Sequence, residues 1–411
     1  MNGLEVYVVG GGAAGLMAAG QAALRGYNVT VIERNERPAR KVMITGKGRC
    51  NVTNDCDRET FLANIPENAR FLYGAYSRFS PQDTMRFFED ECGVPLKVER
   101  GNRVFPISDK AVDIVDALVR FAKNAGVRFM HGRVVGLDIE DGVCCGVELD
   151  DGRRLEAYAV IVCTGGASYP QTGSTGDGYA LAKQAGHTVV PLRPSLVPLV
   201  SSDIWCREMQ GLSLRNCGCR VTDEQTGRCI YEDLGEMLFT HFGVSGPMVL
   251  SASAHMREMQ AGRYVLHIDW KPGLSEEQLD RRIQQDLAFF KNCDFVNGLV
   301  KLLPHKAIPV ITRLSGIPAD LKCHSVTRRQ RRDLVRLLKD HAVHIENFRP
   351  LSEAIVTAGG VSTAEIAAST MESKKVSGLY FAGEVIDLDA YTGGFNLQIA
   401  FSTGFVAGTS V

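Results

Sequence analysis

LEVYVVGGGAAGLMAAGQAAL, residues 4–24, decides the fold. Leu4 to Val9 is a short apolar, β-branched run, Gly10 to Gly15 follows at once, and a stretch rich in Ala, Leu and Met continues to Leu24. The order is strand, tight turn, helix. Gly10 permits the turn, Gly12 lets a pyrophosphate approach the backbone, and Gly15 allows close packing of helix on strand. Ala13 and Ala14 open the helix, where free N–H groups can meet the phosphates. Glycine turns join many strands to helices, so the motif is weak alone. Here it has company: Tyr27 to Ile32 is a second strand that ends at Glu33, 18 residues after Gly15. That is where an acid is expected to hold the ribose hydroxyls of an adenosine. An acid rather than a cation at this place argues against a 2′-phosphate on that ribose.

Further along, RKVMITGKGRCNVTN (residues 40–54) is rich in Gly, cations and amides. Its N–H groups and charges suit a pyrophosphate or the polar edge of a flavin; a flexible basic surface loop has the same composition. Tyr158 to Cys163 is another apolar strand, running into Thr164, Gly165 and Gly166. Near the end, Gly378 to Phe381 leads to Gly383 and Glu384, a strand closing on a glycine and an acid of the kind that bonds a ribityl chain; Asp is the usual acid there. YTGGFNLQIA (residues 391–400) then opens a helix with Gly394, Asn396, Leu397 and Gln398. N–H groups at that helix start would face the flavin pyrimidine, where negative charge collects on reduction. Together these signals describe one cofactor, FAD. Arg34, Arg40, Lys41, Gly46 and Val134 complete the expected cofactor-binding set.

At 411 residues the chain has room for two or three domains. Its 45% hydrophobic and 23% charged content excludes a disordered, collagen-like or coiled-coil chain. A net charge of -1 exerts no global pull on polyanions, but Lys301 to Asp340 holds ten basic residues and three acids. No apolar stretch is long enough for a membrane span, and the N-terminal run does not resemble a secretion signal, so a cytoplasmic protein is expected. The twelve cysteines contain no CxxC pair, and reduced structural thiols are expected rather than disulfides or a zinc site.

VVGGGAAGLMAA, KVMITGKGRCNVTN, TGGASYPQTGSTGDGY, LFTHFGVSGP and LYFAGEVIDLDAYTGGFNLQIAFSTG together resemble the BaiN/RdsA flavoproteins, classed as NAD(P)/FAD-dependent oxidoreductases. The resemblance spans nearly the whole chain. It implies an α/β fold with a Rossmann-like FAD-binding domain built from both chain ends and interrupted by a β-barrel-like and a helical insertion. Residue patterning agrees: short alternating runs fill about 191–270, and helical periodicity follows from Leu274 to about Asn347. The expected divisions are 1–190 and 348–411 for the FAD domain, 191–273 for the β-rich insertion and 274–347 for the helical one. A second strand followed by GxGxxG is missing, so NAD(P)H must dock transiently as electron donor, or electrons come from another source.

Four side chains are candidates for chemistry. Cys50, beside Arg49, could donate a proton or act as a thiolate, and could equally be a packed thiol. His241 lies within LFTHFGVSGP and is either a proton donor or a structural histidine. Arg49 and Asn51 could polarise a substrate carbonyl. The resemblance implies either of two reactions. One is reduction of a uridine to dihydrouridine in 23S ribosomal RNA, with Lys301 to Asp340 as a phosphate-binding face. The other is reduction of a small enone such as a 3-oxo steroid or bile acid. A flavin-binding protein without turnover is the third class.

Overall fold

The computed structural model describes residues 3–411 and divides into two compact units, one of residues 3–195 and 351–411, the other of residues 196–350. The first is centred on a five-stranded sheet in the order Leu379–Phe381, Ala159–Val162, Glu5–Val9, Asn28–Glu33, Arg128–His131, every pair parallel. Strands buried on both faces read as continuous apolar runs. Val6, Val8, Val160 and Ile161 accordingly have no exposed surface. An edge strand comes from the C-terminal part of the chain, which is why both ends are needed to complete the sheet.

The helix Ala13–Leu24 crosses the C-terminal helix Phe395–Ser410 at very short range. A Cβ on Gly404 would stand 2.4 Å from the Ala14 carbonyl oxygen, and one on Gly408 would stand 2.2 Å from that of Ala18. Small residues four apart on both helices therefore set the approach.

The second unit contains a closed six-stranded antiparallel barrel: Leu199–Ser201, Gly243–Ser245, Arg228–Phe239, Ser213–Asp223, Tyr264–Asp269 and His341–Phe348 in ring order. Its core includes Val221, Met237, Phe239, Leu266, Val343 and Ile345, all fully buried. Trp205 stacks on His341 with centroids 4.2 Å apart, and Trp270 Nε1 donates to His341 Nδ1 at 3.1 Å. Helices Glu276–Phe289 and Arg328–Lys339 belong to the same unit. The helical stretch expected to continue to Asn347 stops earlier. His341–Phe348 is a strand whose His341, Val343 and Ile345 are buried in alternation. Among the described residues no helix is long and apolar enough to cross a membrane.

Candidate cofactor site

The turn after the first strand assigns different work to its glycines. Gly10 has φ +100°, and a Cβ there would lie 2.7 Å from the Cys163 carbonyl oxygen. At Gly15 a Cβ would lie 1.9 Å from the Gly10 carbonyl oxygen. Protein fills both places, so these two glycines serve the fold. Gly12 differs: a Cβ there would meet nothing within 4 Å. Gly12 is also the N-cap of helix Ala13–Leu24, whose first N–H groups have no partner within the helix and no side-chain cap. An anion fits there. Glu33 Oε2 accepts from Gly11 N at 2.8 Å, and its Oε1 accepts from Asn35 N and Nδ2, both at 2.8 Å. The acid is thus fixed directly beneath the turn.

Beside it, Arg34 donates to Thr175 Oγ1 at 2.7 Å and to Asp177 at 3.2 Å, and Arg133 grips Asp177 through two nitrogens. Burial works against charge on Asp177, yet the hydrogen bonds and the two guanidinium groups hold its carboxyl below the ordinary range. Arg40 donates to Asn35 Oδ1 at 3.2 Å. Arg37, Arg40, Met43, Ile44, Gln171 and Thr172 line an adjoining cleft of about 330 Å³. Val134 is buried at the start of the strand Val134–Glu140 that follows Arg133.

A second cluster gathers segments far apart in sequence. Lys41 Nζ lies 2.7 and 2.9 Å from the Glu384 carboxylate oxygens and donates to Ser168 Oγ at 2.7 Å. Glu384 Oε1 also accepts from Thr357 N at 2.9 Å. Thr357 Oγ1 accepts from Ala167 N at 2.9 Å and Ser168 N at 3.1 Å, just past Gly165 and Gly166. A Cβ on Gly166 would collide with Thr357 Oγ1 and Glu384, and one on Gly383 would press on Ala14. Glycine lets the two cofactor-associated turns close together here. Thr164 Oγ1 and Asn51 Oδ1 are buried with no hydrogen-bond partner. Two orphaned polar atoms and the open side of Gly12 are what a polar, pyrophosphate-bearing ligand would satisfy, and FAD fits this donor set.

Other expected residues behave differently. Gln398 is wholly buried: it accepts from Thr53 and Thr84 hydroxyls at 2.6 and 2.8 Å and donates to Ser402 Oγ and the Phe79 carbonyl oxygen. Its side chain is consumed in packing, so any cofactor contact from this helix start falls to the backbone. Asn396 binds both the N–H and the carbonyl of Ala390, and Leu397 is half-buried. A Cβ on Gly394, whose φ is +100°, would strike the Thr53 backbone. Gly46 has φ +56°, and Lys47 and Cys50, both non-glycine, have φ of +60°. Such positions store strain and gather at functional loops.

The chemical candidates fall in different settings. Cys50 has no exposed surface, and burial pushes its thiol up to about 12, which removes the thiolate at neutral pH. Arg49 is bound to Glu99 at 2.5 Å and Asp109 at 2.6 Å and lies over the Phe105 ring, so its guanidinium is not free to polarise a carbonyl. His241 is exposed, stacks edge-on against Phe242 and belongs to the second unit. In the basic segment, Arg331 is tied to Asp280, Lys339 to Asp269, Lys322 to Asp294 and Arg313 to Glu208. What faces solvent on helix Arg328–Lys339 is Arg328, Arg329, Arg332 and Arg336, with Asp333 among them.

Residues 4–410 match the HI0933-like protein Rossmann domain, and the chain belongs to that family. It is 32% identical to a 3-dehydro-bile acid delta(4,6)-reductase of Clostridium scindens, over 98% of each chain. With a ribosomal RNA dihydrouridine synthase of Escherichia coli it shares 30% identity, over 98% of this chain and 97% of the relative. The fold is that of a 3-ketosteroid-delta4-(5alpha)-dehydrogenase from Rhodococcus jostii, at TM-score 0.56 and 16% identity, covering 100% of this chain and 97% of that one. The chain is an FAD-dependent oxidoreductase.

Proposed function

We propose that this chain reduces the 5,6 double bond of a uridine in 23S ribosomal RNA, giving dihydrouridine. The observation that carries the reading is the solvent face of helix Arg328–Lys339, where four guanidinium groups stand against one acid. A small enone has no use for such a row, whereas RNA phosphates do. The Escherichia coli relative, matched end to end, supports the same choice. Bound FAD supplies the hydride that a conjugated C=C accepts. This chain contributes the anion-accepting helix start at Gly12 and the Lys41–Glu384 pair, which fixes a carboxylate beside the paired glycine turns. NAD(P)H, docking transiently, is the donor we assign.

The test is to measure dihydrouridine by mass spectrometry in 23S RNA from cells with and without the protein. Loss of one modified uridine is the expected result. The end-to-end match to a bile-acid reductase favours the second reading, an NAD(P)H-linked reductase of a 3-oxo steroid or bile acid enone. Unchanged ribosomal dihydrouridine, with purified protein that reduces such an enone, would put that second reading first.

A further inference from the structure

We propose that the exposed ring of Phe289 is a stacking platform for an unpaired base, so that the RNA is engaged as a single strand and not as a duplex. This rests on the RNA reading above and adds the form of RNA that the surface takes. Helix Glu276–Phe289 buries Leu279, Ile283 and Leu287 along one side. Its last residue breaks the pattern, since Phe289 is 68% exposed. A lone exposed apolar side chain needs no explanation. Phe289 is not alone, because Lys301, from a different segment, holds its ammonium 3.3 Å from the ring centroid and 5.4 Å from that of Phe290. That ammonium covers one face of the Phe289 ring, so a base would stack on the opposite face, with the cation across the ring in reach of an adjoining phosphate; stacking combined with a cation is how single-strand binders work.

The surroundings extend the pair into a strip. His324 N donates to the Lys291 carbonyl oxygen at 3.2 Å, Arg331 Nε to Asp280 at 2.5 Å, and Lys339 Nζ to the Leu274 carbonyl oxygen at 2.8 Å. The arginine helix therefore runs antiparallel to Glu276–Phe289 and begins beside its C-terminal end. Asp280 and Phe289 are nine residues apart, about half a turn out of phase at 3.6 residues per turn. Phe289 thus lies on the flank away from the arginines. Between the two flanks, the outward positions Arg281, Gln284, Gln285 and Ala288 are exposed; the exposed acid on that face, Glu277, lies more than three turns from Phe289, toward the other end of the helix. Arg328, Arg332 and Arg336 follow one another at about 6 Å along their helix. A strand crossing this strip meets phosphate-binding groups on one side and an aromatic ring on the other. A rigid duplex keeps its bases inside and gives the ring nothing to stack on.

Fluorescence anisotropy of FAD-loaded full-length protein with a labelled dodecameric oligouridine, and with an RNA duplex of the same length, tests this. Phe289→Ala should weaken oligouridine binding about tenfold and leave its salt slope unchanged. Duplex binding should not move, and Phe289→Trp should restore the single-strand affinity. Arg328→Ala, Arg332→Ala and Arg336→Ala together should weaken both ligands and flatten the salt slope. An unchanged melting temperature checks that Phe289→Ala has folded. If that variant binds oligouridine like the parent, or if the parent prefers duplex, the platform is overturned while the RNA reading stands. If the parent binds neither RNA, the RNA reading falls and the platform falls with it.

Discussion

Gly12→Ala should separate cofactor binding from folding. The added Cβ meets no protein atom within 4 Å, and φ -79° with ψ -169° suits any L-residue. In the apoprotein the substitution should be neutral or stabilising by about 0.4–1 kcal/mol, because alanine restricts the unfolded chain. For a chain of this size that is a rise in Tm of about 0.5–1 °C. The same carbon occupies the space a pyrophosphate needs in order to reach the helix N–H groups. Losing a charge-assisted hydrogen bond costs about 1.5–3 kcal/mol, which is roughly 10- to 150-fold in FAD affinity. Gly15→Ala is the contrast: its Cβ would lie 1.9 Å from the Gly10 carbonyl oxygen, so the turn itself must open. Overpacking of that kind costs about 1–3 kcal/mol or more and should lower the Tm of the apoprotein. The assay is titration of each apoprotein with FAD, followed by flavin fluorescence, beside a thermal melt without FAD. A Gly12→Ala protein that binds FAD like the parent, or whose apo form melts several degrees lower, refutes the assignment of the open side of Gly12 to the cofactor.

The barrel should be acid-sensitive. Burial pushes His341 down to about 4, against about 6.5 when unfolded, so its contribution is complete above about pH 6.5 and is lost as pH falls toward 4, by about 3 kcal/mol. Both tryptophans, Trp205 and Trp270, contact this histidine, so the urea midpoint from tryptophan fluorescence should be lower at pH 4.5 than at pH 7; equal midpoints would contradict the burial argument. Iodoacetamide at pH 8 should label the exposed Cys229 and Cys293 and spare Cys50, and labelling of Cys50 in the folded protein would restore it as a reactive thiol. Lys41→Met should weaken FAD binding by about tenfold by leaving Glu384 without its cation, and Glu384→Gln in the same chain should recover most of the loss. Additive losses would mean that the two side chains act separately.

The part of the site that could be seen in the sequence is the part written in local spacing. Gly10, Gly12, Gly15 and Glu33 lie within one strand, turn, helix and strand, and their roles follow from backbone geometry that any short stretch displays. Gly404 and Gly408 carry a signal just as strong, small residues four apart, but their partners Ala14 and Ala18 are nearly the whole chain away. Separation in sequence likewise hid Ser168 at Glu384, 216 residues apart, and Asp177 at Arg34, 143 apart; Thr357 reaches Glu384 from only 27 residues away, but in a different element. His341–Phe348 was obscured for another reason. It follows the strongly helical Arg328–Lys339 with no glycine or proline between, and its alternation covers only eight residues. Gln398 misleads in the opposite direction, because an amide at a glycine-rich helix start suggests a ligand until burial shows that Thr53, Thr84 and Ser402 already engage it.

Side-chain direction separates a charge that is written in sequence from one that can act. Cys50 beside Arg49 suggests an activated thiol, but successive residues project differently: Arg49 reaches Glu99 and Asp109 across the Phe105 ring, while Cys50, at φ +60°, turns into the core. The guanidinium therefore stabilises two carboxylates and does not lower the thiol. Helix Arg328–Lys339 sorts its own charges by the same rule. With 3.6 residues per turn, Leu334, Val335 and Leu338 define the buried side, Arg331 lies on that same side in the first turn within reach of Asp280, Lys339 stands at its margin within reach of Asp269, and Arg328, Arg332 and Arg336 are exposed, Arg336 with Arg329 on the far side. Replacing Arg331 would loosen the helix from its neighbour as well as remove charge. An RNA-binding defect in that variant would carry no information about phosphates, whereas the outward three arginines can be removed with only charge at stake.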